Sequence, residues 1–146
     1  MGKGSGSRSR QRRYALRLLF EVDINRSTLG EVLEGKKQVG EDGPVEFTVT
    51  LAEGVLSHQK DIDRVLSDYS EGWELDRMPT VDRNIMRMSV YELFFLDDIP
   101  AGATIDEAVE LAKAFSTVDS GKFINGVLGR VNRDRESGKL VLPTNS

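Results

Sequence analysis

The chain has 146 residues, no cysteine and a single histidine, which is long enough for one domain to build its own core and excludes disulfides, thiolate zinc sites and a cysteine nucleophile. No apolar run reaches the roughly 20 residues needed to span a bilayer, and no secretory leader is recognisable, so a cytoplasmic setting is expected. The formal charge of −4 is unevenly spread: Lys3, Arg8, Arg10, Arg12, Arg13 and Arg17 precede any acid, which leaves 14 of the 20 basic side chains against all 24 acids, a balance of −10, from Leu18 onward.

A cationic arm on an acidic body is the charge pattern of a polyanion reader. Residues 1–7 are rich in Gly and Ser and are expected to form a flexible lead. A first helix is predicted from about Arg8 to Asn25. At about 100° per residue, Arg10, Arg13, Arg17 and Phe20 share roughly 80° of arc, while Ala15, Leu18, Leu19 and Val22 lie on the opposite side. Guanidinium groups beside an outward aromatic suit a single-stranded nucleic acid, because cations meet phosphates and an unstacked base lies on the ring. The residues alone leave two other readings open, a solubilising basic tail and a ring that covers a neighbouring helix.

Leu29 to about Lys36 reads as a second helix, Val39 to Gly43 as a linker, and Pro44 as a first-turn residue of a long third helix running towards Tyr69. Gly54 and the polar stretch Ser57 to Lys60 predict a kink or break in it. Trp73 to Met78 reads as a turn with one helical loop, before a helix that opens at Pro79 with Asp82 in its first turn. Val81, Ile85, Met88 and Tyr91 to Leu96 make that helix apolar nearly all round, hence central. Thr104 and Glu107 have the form of a capping box ahead of the next helix. Asp119 is expected to cap a last helix that packs through Ile124, Val127, Leu128 and Val131. No segment alternates as a strand does. The expectation is therefore all-α, with six to seven helices, a single helical domain over 8–137 and a C-terminal tail over 138–146.

Catalytic groups are scarce. His58 lies among Ser57, Gln59 and Lys60 and is expected on a solvated face. Carboxylate pairs such as Asp61/Asp63, Asp97/Asp98 and Asp106/Glu107 are too close in sequence to converge from one helix face. Gly121-Lys122 is followed by Phe123 and preceded by no strand, so it is not a phosphate loop. No metal, cofactor or catalytic residue is expected. Lys122, Arg130 and Arg133 share a face of the last helix with Gly126 and Gly129, where either a second helix packs closely or a ligand lies between cations.

The stretch VDRNIMRMSVYEL from Val81 to Leu93, then IDEAVELAKAFSTVDSGKFINGVLGR from Ile105 to Arg130, resembles the bacterial NusB family of transcription antitermination factors. The most specific part is the Asp-Ser-x-Lys-Phe-Ile-Asn-Gly-Val-Leu run, and the similarity extends over about Arg8 to Arg135. The resemblance implies two small helical bundles packed across one another. It also implies a non-enzymatic factor that binds the boxA element of ribosomal RNA leader transcripts with the ribosomal protein NusE, in an RNA polymerase elongation complex with other Nus factors. A homodimer is a further possibility within the family.

Carried onto this chain, the resemblance assigns RNA binding to Arg8, Arg10, Arg12, Arg13, Arg17 and Phe20, the last a position that is often tyrosine. It adds Tyr69, after a one-residue shift, and Asp119, Lys122 and Phe123 at the Asp-Ser-x-Lys-Phe turn. Asp76 and Asp82 fall on the side that meets NusE. An accessory RNA-binding role in ribosomal RNA maturation and a helical DNA-binding regulator are the alternatives. The first occurs as a domain fused to a ribosomal RNA methyltransferase, for which a chain ending at Ser146 is expected to be too short. Against the second, basic residues on an arm and a helix face beside an exposed aromatic match unpaired bases better than duplex edges.

Overall fold

The computed structural model describes residues 3–38 and 46–142, all helical or connecting and with no strand among them. The helices are α1 (Lys3–Asn25), α2 (Leu29–Gln38), α3 (Glu46–Ser57), α4 (Gln59–Tyr69), α5 (Thr80–Phe95), α6 (Ala101–Phe115) and α7 (Val118–Glu136), with a single 3-10 turn at Leu75–Arg77. Among the described residues seven α-helices meet the upper end of the expected count. They fall into two compact units that divide between Ser57 and His58. The expected linker Val39 to Gly43, the helix-opening Pro44 and the last four tail residues lie outside the described residues.

In the first unit α1 packs on α2 and α3. Ala15, Leu16, Leu18 and Leu19 from α1 and Leu51, Ala52 and Val55 from α3 are buried, the two apolar stripes that helical periodicity sets facing inward. Polar ties join the helices: buried Thr48 of α3 donates to the Gln11 carbonyl of α1 at 2.9 Å, and Lys36 of α2 pairs with Glu21 of α1 at 2.8 Å. Helix α1 starts at Lys3, earlier than the expected Arg8. It is followed by Arg26 at φ 54°, a left-handed position that terminates the helix. Thr28 and Glu31 then form a reciprocal capping box on α2, at 2.9 and 3.0 Å, a motif not anticipated from the sequence.

The expected long third helix is two helices. It breaks at His58, inside the polar stretch that predicted a kink or break, and α4 begins anew in the second unit. His58 itself is half-buried, stacked on Phe95 with centroids 4.3 Å apart and 6.1 Å from Tyr91. It is not on the solvated face expected for it. The polar neighbours in sequence misled because the ring turns back onto α5, where two apolar rings cover it.

Helix α5 is central to the second unit and packs against α4, α6 and α7. Its buried residues include Ile85, Met86, Met88, Val90 and Leu93, but also Asp82, Asn84, Arg87, Ser89 and Glu92. Arg87 forks onto Asp63 of α4, with Nε to Oδ1 at 2.8 Å and Nη2 to Oδ2 at 3.0 Å, while Nη1 reaches the Asn84 side-chain oxygen at 3.2 Å. This bidentate geometry satisfies the donors of a guanidinium largely removed from water.

Two expected caps are corrected. Helix α6 starts at Ala101 after Pro100, so Thr104 is already inside the helix. Its hydroxyl is buried and donates to Glu92 of α5 at 2.8 Å instead of closing a box with Glu107. Helix α7 is capped by Thr117, whose Oγ1 accepts from the Ser120 N–H at 2.9 Å. Asp119 sits in the first turn, exposed, where its charge still favours the helix N-terminus.

Candidate nucleic-acid interface

Helix α1 sorts its arginines by angle. Arg10, Arg13, Arg17 and Phe20 are all exposed, as their common arc requires, and Phe20 keeps 36% of its surface in solvent. The stripe continues to Ile24, 54% exposed, which the sequence reading passed over although it lies within the same arc, about 320° round from Arg10. The result is a row of three cations ending in two apolar side chains.

Arg8 and Arg12 belong elsewhere. Their guanidinium carbons lie 4.2 and 5.4 Å from the centroid of the Phe47 ring on α3, and Arg12 is only 5% exposed. Of the five arginines to which the resemblance assigns RNA binding, these two turn towards α3 and do not share the face of Arg10, Arg13 and Arg17. Residues 8 and 12 lie four apart, about 160–200° round from Arg10, so they share the inward face. A cation over an aromatic face is an attraction that burial strengthens, and here it joins α1 to α3.

In the second unit, Phe123 is half-buried near the start of α7 and lies 5.6 Å from Trp73, tilted by 38°. Trp73 is 50% exposed and was not singled out as a binding residue from sequence, where an indole in a turn has no helical face to announce it. Lys122 and Asp119 are exposed beside Phe123. Tyr69 is anchored: its hydroxyl donates to Asp134 of α7 and its carbonyl accepts from Arg130 Nη2 at 2.8 Å. The hydrogen bond to the Asp134 carboxylate, helped by burial, pushes the Tyr69 hydroxyl up to about 12. Burial also raises that of Tyr91.

Of the basic face expected on α7, Lys122 and Arg133 are exposed, whereas Arg130 is engaged at the end of α4. The close-packing explanation of its glycines is not met. A Cβ at Gly129 would meet nothing within 4 Å, and one at Gly126 would meet only the Arg130 guanidinium at 3.7 Å.

Asp76 is exposed in the 3-10 turn, but Asp82 is 4% exposed. Its carboxylate accepts from Ser120 Oγ at 2.6 Å, and Ser120 also sits 3.1 Å from the hydroxyls of Ser116 and Thr117. Asp82, expected on the side that meets NusE, thus forms a buried tie between α5 and the head of α7. A short acid in the first turn of α5 reaches inward because α7 begins there.

Among the described residues no group of three or more acidic or histidine side chains is arranged to hold a metal ion, and no helix is long and apolar enough to cross a membrane.

The model of the NusB family matches residues 9–133. A transcription antitermination protein NusB from Saccharopolyspora erythraea is 46% identical over 128 residues, covering 86% of each chain. A solved T. maritima NusB superposes with a TM-score of 0.77 at 36% identity, covering 91% of this chain and 97% of that one. A crystal structure of antitermination factors NusB and NusE in complex with dsRNA gives a TM-score of 0.75 at 26% identity, covering 86% of this chain and 96% of that one. The helical order and the match over nearly the whole chain agree, and the chain belongs to the NusB family.

Proposed function

We propose that this chain is a cytoplasmic, non-enzymatic transcription antitermination factor that binds boxA-type single-stranded leader RNA of ribosomal RNA operons together with NusE. The observation that carries the reading is the exposed row of Arg10, Arg13, Arg17 and Phe20 on one face of α1. Cations three and four residues apart along a helix follow a phosphate backbone, and the ring at their end offers a stacking surface to a base. Lys122 and Phe123 supply a second cation and ring in the other unit. Asp119 there opposes phosphate and moderates the affinity. Asp76 faces the basic partner, where opposed charge speeds encounter and selects the partner. Residues 8–137 act as one functional body, and the factor works within an RNA polymerase elongation complex.

Purified chain titrated with a boxA-like RNA, a scrambled RNA and a DNA duplex, with and without NusE and at two salt concentrations, tests this. Preference for boxA that tightens with NusE is expected. Equal affinity for all three polyanions would reduce the stripe to a nonspecific cationic surface, and tightest binding to the duplex would favour a DNA-binding regulator.

A further inference from the structure

Helix α1 carries a second ring beside its arginine row. At about 100° per residue, Tyr14 lies about 40° from Arg10 on one side, while Phe20 lies about 80° from Arg10 on the other. Arg10, Arg13 and Arg17 therefore run between two rings that are about 9 Å apart along the axis. Each ring stands at a border of the inward stripe, half-buried Tyr14 next in angle to Leu18 and exposed Phe20 next to Leu16, both leucines being buried. The Arg17 guanidinium carbon is 5.9 Å from the Tyr14 centroid, at the outer reach of a cation–π attraction. Of the two acids of α1, Glu21 falls inside the strip between the rings, and Lys36 of α2 pairs with it at 2.8 Å, which offsets its charge where a phosphate would pass.

A single strand lying along three arginines turns its phosphates to the cations and can splay its unpaired bases to either side. Phe20 serves one side only. We propose that Tyr14 is a second stacking platform, which receives an unpaired base of the bound RNA on the opposite side of the arginine row from the base on Phe20. Partial burial restrains the ring, so little side-chain freedom is lost when a base arrives. Arg17, drawn towards Tyr14, meets a phosphate between the two bases. A ring that merely aimed Arg17 would act through that phosphate contact and its salt dependence, whereas a stacking ring acts on a base and leaves the salt dependence alone. The assignment rests on the RNA-binding reading above and names a second base seat within it.

The full chain is titrated, at several salt concentrations, with boxA-like RNAs that carry the fluorescent base 2-aminopurine at one position at a time. Emission is expected to respond at separate positions, of which Phe20→Ala silences one and Tyr14→Leu another. Tyr14→Leu is expected to weaken binding about tenfold without changing the salt slope, and Tyr14→Phe to keep most of the affinity. A Tyr14→Leu chain with wild-type affinity and every emission response intact overturns the second platform and leaves the functional reading standing. A loss that lowers the slope by about 0.7 and vanishes in an Arg17→Ala background makes the ring a support for Arg17 and also overturns the platform. Should Tyr14→Leu lose helix content by circular dichroism, the wild-type chain labelled with fluorotyrosine decides. Its Tyr14 fluorine resonance, assigned by its absence from Tyr14→Phe, is expected to shift when boxA RNA binds, and an unmoved resonance overturns the proposal. A wild-type chain that binds no RNA overturns both the platform and the functional reading.

Discussion

Phe20 on α1 and Trp73 before α5 are both large rings left partly in water, and they stand in opposite electrostatic settings. Phe20 ends a row of three exposed arginines, whereas Trp73 lies beside Glu74 and Asp76 and packs on Phe123. A ring by itself gives a flat surface of low polarity that accepts bases and guanidinium groups alike. The neighbouring charge biases which guest each ring suits, phosphate-bearing beside arginines and cationic beside carboxylates. Among the described residues the two surfaces are set in different compact units.

That contrast breaks first if the arginine row is neutralised. Replacing Arg10, Arg13 and Arg17 together with Ala is expected to cause the largest loss of RNA affinity, with the slope of log K against log salt falling by about 2, or about 0.7 for each phosphate contact on a single strand. Fold stability should hardly change. Arg87 sharpens the point from the other side, since its charge belongs to the fold. Arg87→Ala leaves the Asp63 carboxylate half-buried without its forked partner and should lower unfolding stability by about 3 kcal/mol in a denaturant titration.

Phe20→Ala separates ring from charge. It should cost about 1 to 3 kcal/mol of RNA binding with little change in the salt slope; a loss of helix content instead would show that the ring is part of the core. The smallest effect concerns Tyr69, a ring whose hydroxyl is already engaged. Its ionisation is raised from 10.0 to about 12, so the Tyr69–Asp134 tie contributes fully below about pH 10 and is lost as the pH climbs through about 12. The stability difference between wild type and Tyr69→Phe, followed by urea unfolding across that range, should shrink with rising pH.

The outward stripe of α1 was legible because helical angle alone sets it. The same angles place Arg8 and Arg12 inward, and only the family pattern had grouped them with the other three. Local signatures were less reliable. Thr28–Glu31 and Thr104–Glu107 share the Thr-x-x-Glu form, yet of these two only the first is a capping box, because Pro100 opens α6 early and Glu92 of α5 draws the Thr104 hydroxyl away. Asp119 lost its cap role to Thr117 two residues earlier, a displacement within the ordinary uncertainty of helix ends. His58, Asp82 and Trp73 could not be read locally at all. Each is defined by a side chain far along the sequence: Phe95, Ser120 and Phe123 respectively.

The polar residues buried along α5 act as keys in a lock. Asp82 fits Ser120, Arg87 fits Asp63 and Glu92 fits Thr104, one key for each of the three helices that surround it. An apolar rod in an apolar sleeve can slide by a turn or rotate with little penalty, but here any such slip strands a charge away from its partner. The fold thereby surrenders some stability for a single permitted setting of its central helix. An α5 rebuilt from leucine and methionine at those positions would be expected to melt later and to hold its alignment less strictly.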